Sequence, residues 1–163
     1  MIKSKAIRCG DNVDTDQIIP ARHLCRLEIR DMAAYAFEYD VNFQENFEEG
    51  DIIVAGSNFG CGSSREQAPA VLKQRGVTAV IAKDFARIFF RNCINNGIPV
   101  IECEDADKIG NLDEIEVNTD MGIIKNLSRD EIYNCKPFPE YIREVLAAGG
   151  IVPHIKHSGG DAP

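Results

Sequence analysis

The chain has 163 residues, 44% of them apolar and 27% charged, which is enough for one well-buried core and too little for two domains of ordinary size. Its formal charge of −8 excludes broad binding to nucleic acid or to an anionic membrane, since both need a surplus of Lys and Arg. The opening "MIKSKAIRCG" has no apolar stretch of signal-peptide length, and nothing later approaches the roughly 18 apolar residues of a membrane span, so the expected location is the cytoplasm.

In chain order, "KSKAIRCGDNVDTDQIIPARHL" reads as two short strand-like runs around a turn cluster at Gly10 to Asp14, and "IRDMAAYAFEY" after it reads as helical. "DIIVAG" is a buried strand ending at Gly56. A glycine-serine loop follows, then a helix on which Ala68, Val71, Leu72 and Arg75 fall at helical spacing and Gly76 acts as the C-cap. "VTAVIA" is a second apolar strand, and "KDFARIFFRNCINNG" a second helix with Asp84 as its N-cap and Gly97 at its end. "IPVIE" is a third strand with Pro99 near its beginning, where a missing N–H is tolerated. Strand, helix, strand, helix, strand with short connections predicts a parallel arrangement, and the unbroken apolar runs suit strands covered on both faces. Further on, "EIEVNTDMGIIKNL" predicts a hairpin turning through Asn118 to Gly122, and a last helix spans Phe138 to Ala148. The expected organisation is one α/β domain over 1–155 and a mobile tail over 156–163.

The loop "GSNFGCGSSREQ" lies where open α/β sheets generally place ligands, between the carboxyl end of a strand and the amino end of a helix. Gly56, Gly60 and Gly62 allow tight turns and a close approach of the backbone to a ligand. Ser63 with Glu66, or Ser64 with Gln67, matches a helix capping box, so the helix is expected to start at one of these serines. Helix-terminal N–H groups, the dipole and the Arg65 guanidinium would then form a receptor for a carboxylate or a phosphate. The plain alternative is a cap and a turn with no ligand. Pro69 is expected to distort the first turn. The spacing lacks the third glycine of a dinucleotide fingerprint, the Gly-Lys-Ser/Thr of a P-loop and the G-x-S-x-G of a nucleophile elbow.

Asp11, Asn12 and Asp14 read as Asx-turn residues rather than a calcium loop, with Asp16 and Arg22 as candidates for a polar network facing the serines. His23, His154 and His157 show no ligand pairing, and Arg87 and Arg91 lie four apart on what reads as a core helix. Cys9, Cys25, Cys61, Cys93, Cys103 and Cys135 are too scattered for a cluster and are expected to be free thiols, with no metal on this chain.

Taken together, "DNVDTDQIIPARHL" and "GSNFGCGSSREQAP" with its continuation "AVIAKDFARIFFRNCINNGIPVIE" closely resemble the small subunits of 3-isopropylmalate dehydratase, in the aconitase superfamily. The resemblance implies a swivelling β/β/α domain that closes over an active site supplied mostly by a separate large subunit, which carries a four-iron four-sulfur cluster. It implies a hydro-lyase of leucine biosynthesis that isomerises 2-isopropylmalate and 3-isopropylmalate by dehydration and rehydration, a small-molecule di- or tricarboxylate being the substrate. By the same resemblance Ser63 is the catalytic base, and Ser64, Arg65, Gly60 and Gly62 bind substrate carboxylate, with Arg22 a further candidate in a stretch that varies among relatives. Leu24, Cys25 and Arg26 fall in the segment that sets specificity. Gln67 stands where many relatives have histidine. Homoaconitase, citramalate or dimethylmalate dehydratase small subunits are the neighbouring alternatives, and a non-catalytic anion-binding regulatory module is the alternative of another class.

Overall fold

A computed structural model of the chain describes residues 1–26 and 28–158. Among the described residues seven strands form one sheet in the order β4-β3-β2-β1-β5-β6-β7. They are β1 (Ile2–Arg8), β2 (Ile52–Val54), β3 (Ala79–Ala82), β4 (Val100–Glu102), β5 (Glu114–Asn118), β6 (Ile123–Asn126) and β7 (Glu131–Asn134). The parallel unit expected over β2, β3 and β4 is present, with Ile53 opposite Val80 and Ile81 opposite Ile101. The hairpin of β5 and β6 is present too.

The strand β1 joins the two halves of the sheet. Its second half runs parallel to β2, pairing Ala6 with Ile52 and Arg8 with Val54, while its first half runs antiparallel to β5. The sheet curls until its edges meet. Beyond β7, the Lys136 N–H donates to the Glu102 carbonyl at 3.1 Å, the Lys136 ammonium pairs with the Glu102 carboxylate, and Cys103 Sγ reaches the Asn134 carbonyl at 3.4 Å.

Successive residues of each parallel strand enter different cores, which is why these strands are apolar throughout. Ile52, Val54, Ala79 and Ile81 face inward with Ile115, Val117 and Ile124 of the antiparallel half. Ile53, Val80 and Ala82 face the helices, among them α4 (Gln67–Arg75) and α5 (Arg87–Asn96), through Val71, Leu72, Phe89 and Cys93. Gly76 and Gly97 end α4 and α5 in the left-handed conformation, as the sequence indicated.

Several elements depart from expectation. The second strand-like run near the N-terminus is instead the short helix α1 (Thr15–Ile18) and a 3-10 turn, Ala21–His23. Asp14 caps α1 through a capping box with Gln17, and Pro20 separates helix from turn. "IRDMAAYAFEY" is helical only over α2 (Ile29–Ala33); α3 (Val41–Asn46) follows, capped by Asp40. Asp84 does not cap α5, whose N-cap is Ala86; its carboxylate accepts from the Asn58 N–H at 2.9 Å instead. The last helix is a pair, α6 (Glu140–Ala147) and α7 (Ile151–Ser158), joined through Gly149 and Gly150. Of the tail expected to be mobile, residues 156–158 therefore belong to α7, and the remainder, 159–163, lies outside the described residues. Among the described residues no helix is long and apolar enough to cross a membrane.

Candidate active site

The loop between β2 and α4 is pinned at nearly every backbone step. The Ser57 N–H donates to Asp11 at 2.7 Å, the Gly60 N–H to the Val13 carbonyl at 2.7 Å, and the Thr15 N–H to the Cys61 carbonyl at 3.0 Å. Thr15 Oγ1 then donates to the Ser63 carbonyl at 2.9 Å. Gly60 has φ +78°, and a Cβ there would sit 2.1 Å from Cγ of Phe89, so both backbone sign and close packing require glycine. Phe59 fills the floor beneath, with ring centroids 5.9 Å from Phe85 and 5.4 Å from Phe89. Its carbonyl accepts from the Ala86 N–H at 2.9 Å, tying this loop to the start of α5.

The side chains of Ser63 and Ser64, by contrast, are exposed, and neither hydroxyl has a hydrogen-bond partner among the described residues. They open onto a cleft of about 330 Å³. Gly60, Gly62, Ser63, Ser64 and Arg65 form one wall, and Arg87, Ile88 and Asn92 of α5 the other.

Neither serine caps α4. The helix begins at Gln67, with Glu66 as an N-cap that makes no side-chain bond, so the expected capping boxes are absent. Pro69 explains the later start. It occupies the first turn of a helix starting at Gln67, where its missing N–H has no intrahelical acceptor to lose, and no distortion of the helix is needed. The positive helix end that meets the cleft is that of α5. Phe90 makes the first intrahelical bond, to the Ala86 carbonyl, and the N–H groups of Arg87, Ile88 and Phe89 precede it without an acceptor among the described residues. Arg87, taken from sequence as part of a core helix face, is exposed at the cleft mouth. Its position just after the second parallel strand was the available signal.

Arg65 is mostly buried, its side chain 14% exposed, and its Nη1 lies 2.5 Å from the Asp16 carboxylate and 3.1 Å from the Ile19 carbonyl. The network expected between Asp16 and the serine loop is therefore made through Arg65. Arg22 is not part of it. It pairs with Glu38 at 2.7 Å, and its guanidinium lies 5.1 Å from the Tyr39 ring centroid and bonds the Tyr39 hydroxyl. The segment that follows packs around a buried His23, which stacks on Tyr35 with centroids 3.9 Å apart and contacts Glu38 at 3.1 Å. Arg26 lies 4.3 Å over the Tyr35 ring, Leu24 packs against the main core, and the exposed Cys25 points its thiol at the Arg22 carbonyl at 3.3 Å. None of Arg22, Leu24, Cys25 and Arg26 lines the serine cleft.

Three of the six cysteines, Cys9, Cys93 and Cys103, are buried. Burial pushes the Cys9 thiol up to about 12 and the Cys135 thiol up to about 11, so neither is a thiolate near neutrality. Among the described residues no three His, Cys, Asp or Glu side chains gather as metal ligands.

The aconitase C-terminal domain family matches residues 22–106. The 3-isopropylmalate dehydratase small subunit of Ruminiclostridium cellulolyticum is 48% identical over 158 residues, covering 96% of this chain and 97% of its own. That of Methanosarcina mazei is 49% identical over 156 residues, covering 95% and 96%. The crystal structure of a 3-isopropylmalate dehydratase from Methanocaldococcus jannaschii superposes with a TM-score of 0.91 at 43% identity, covering 97% of this chain and 95% of that one. With identity of this level along almost its whole length, the chain belongs to the family of 3-isopropylmalate dehydratase small subunits, within the aconitase C-terminal domain family.

Proposed function

We propose that this chain is the small subunit of a cytoplasmic hydro-lyase that interconverts 2-isopropylmalate and 3-isopropylmalate in leucine biosynthesis, acting only when joined to a large subunit. The observation that carries the reading is the convergence, in one cleft, of two unpartnered serine hydroxyls with the side chains of Arg65 and Arg87. In this reading Ser63 Oγ takes the proton from the carbon beside a substrate carboxylate. Ser64, Arg65 and the backbone around Gly60 and Gly62 hold that carboxylate.

A serine hydroxyl is a poor base in water, so the role requires an environment that favours its alkoxide. The Arg87 guanidinium and the N–H groups that begin α5 supply positive potential along the cleft, and Arg65, its charge matched by Asp16, offers N–H donors. The same groups offset the charge that builds on the carboxylate as the proton leaves. Water enters the open cleft in the isolated chain and weakens each of these interactions, which accounts for the need of a second subunit to close it. The iron–sulfur cluster implied by the family resemblance would supply Lewis-acid assistance to the departing hydroxyl. Among the described residues no three His, Cys, Asp or Glu side chains gather to hold it, and the roles assigned here are confined to the chain's own residues.

The test is Ser63→Ala in enzyme reassembled with a cluster-bearing large subunit. Removing a positioned general base is expected to lower turnover by about 100-fold or more with assembly intact. Undiminished turnover in a correctly assembled enzyme would remove Ser63 as the base.

A further inference from the structure

The two arginines at the cleft differ in what they have left to give. Arg65 is largely buried, and its charge is already matched by Asp16 and directed by the Ile19 carbonyl. Arg87 is exposed, has no ion pair, hydrogen bond or ring contact among the described residues, and lines the opposite wall. Its position is also unfavourable for the fold taken alone. It is the first residue of the ten-residue helix α5, where the dipole disfavours a cation, and the first turn contains no acidic residue to offset it.

Charge bookkeeping then separates the two. Arg65 and Asp16 sum to zero, so a ligand carrying two negative charges meets only one uncompensated cation in the cleft, and that cation is Arg87. We propose that Arg87 binds the second carboxylate of a dicarboxylate substrate, leaving Arg65 and Ser64 to the carboxylate beside the reacting carbon. This inference rests on the hydro-lyase reading, and it assigns to that cleft a substrate with two carboxylates rather than one. A planar guanidinium on an exposed stem suits this role, because it can pair both carboxylate oxygens and still release the product.

The experiment uses the enzyme assembled with its large subunit and measures, by calorimetry, the affinity of isopropylsuccinate and of its two half-amides. Isopropylsuccinate keeps both carboxylates and lacks the departing hydroxyl. The unmodified enzyme is expected to prefer the dicarboxylate over the half-amide lacking the distal carboxylate by about 10-fold or more, the difference a charge-assisted pair makes. Arg87→Gln should shrink that preference to within about 2-fold and raise KM for isopropylmalate about 10-fold, with a fall in kcat smaller than the roughly 100-fold or more expected of Ser63→Ala. Arg87→Lys should recover part of the preference. The unfolding temperature of Arg87→Gln should be unchanged or higher, since a cation leaves the positive end of a helix; a merely structural Arg87 would lower it.

A preference and KM retained in Arg87→Gln would overturn the proposal. Ser63→Ala in the same preparations keeps the two ideas apart. If Ser63→Ala turns over normally while Arg87→Gln loses the preference, the base assignment falls and the subsite stands; the reverse outcome removes the subsite and keeps the base. Calorimetry decides on Arg87 even if the assembled enzyme fails to turn over isopropylmalate.

Discussion

Two polar clusters sit on opposite halves of the sheet, and they are built in opposite ways. In the antiparallel half, Asp113 Oδ2 accepts from the Gly110 N–H, from Asn126 Nδ2 and from Arg129 Nε, each at 2.7 Å. Asn126, fully buried beside it, uses its own oxygen to accept from the Ser128 and Arg129 N–H groups. No buried polar side-chain atom there is left without a partner. In the parallel half, the serine loop commits its backbone to neighbours, while the Ser63 and Ser64 hydroxyls and the Arg87 side chain at the start of α5 have no partner among the described residues. A saturated cluster has nothing left for a ligand and serves the fold, whereas a rigid frame carrying unsaturated groups is available for chemistry.

This contrast can be broken by substitution in either half. The largest effect expected is on turnover, where Ser63→Ala should cost about 100-fold or more while shifting unfolding free energy by no more than about 0.5 kcal/mol. Turnover of the assembled enzyme and thermal unfolding of the free chain check the two parts. Asp113→Ala should do the converse, leaving turnover unchanged at moderate temperature and costing about 2 kcal/mol of stability, or roughly 4–8 °C of Tm. A loss of turnover without a loss of stability in Asp113→Ala would erase the distinction.

A pH series sharpens the same comparison. Burial works to raise the Asp113 carboxyl, but the bonds from Asn126, the Gly110 N–H and Arg129 outweigh it and hold the carboxyl below its ordinary value. Its contribution to stability is therefore fully present above the unfolded carboxylate range near about pH 4 and is lost as pH falls through the depressed folded value. Asp113→Asn should flatten this part of the acid limb in denaturation curves taken below about pH 4. The smallest effect concerns thiols. Exposed Cys25 should be alkylated first, while Cys9 and Cys93, whose buried thiols titrate far above neutrality, should react only on unfolding; time-resolved labelling read by mass spectrometry checks the order.

The parallel half was legible because its signals are local. Unbroken apolar runs marked β2, β3 and β4, and Gly76 and Gly97 marked the ends of α4 and α5. The join at β1 was not legible. "KSKAIR" says strand, but its parallel pairing with β2 depends on a crossover through α1, α2 and α3, which are short and weakly periodic. β7 has only four residues, too few for alternation to declare itself. The serine loop was read as the connection between β2 and the helix after it, which is where it lies, while the positive helix end was assigned to α4. Pro69 held the correction, since a proline that must lie in the first turn moves the start to Gln67 and leaves α5 to provide the free N–H groups. Arg87 was passed over because helical spacing alone cannot say that the first residue of a helix faces a cleft.

The most direct measurement is a crystal structure of the chain assembled with its large subunit and a bound malate-type dicarboxylate. The account predicts Ser63 Oγ within about 3.5 Å of the carbon that loses its proton, one carboxylate on Arg65 and Ser64, and the other on Arg87. A dicarboxylate bound elsewhere, with the hydroxyls of Ser63 and Ser64 turned to bulk water, would contradict it.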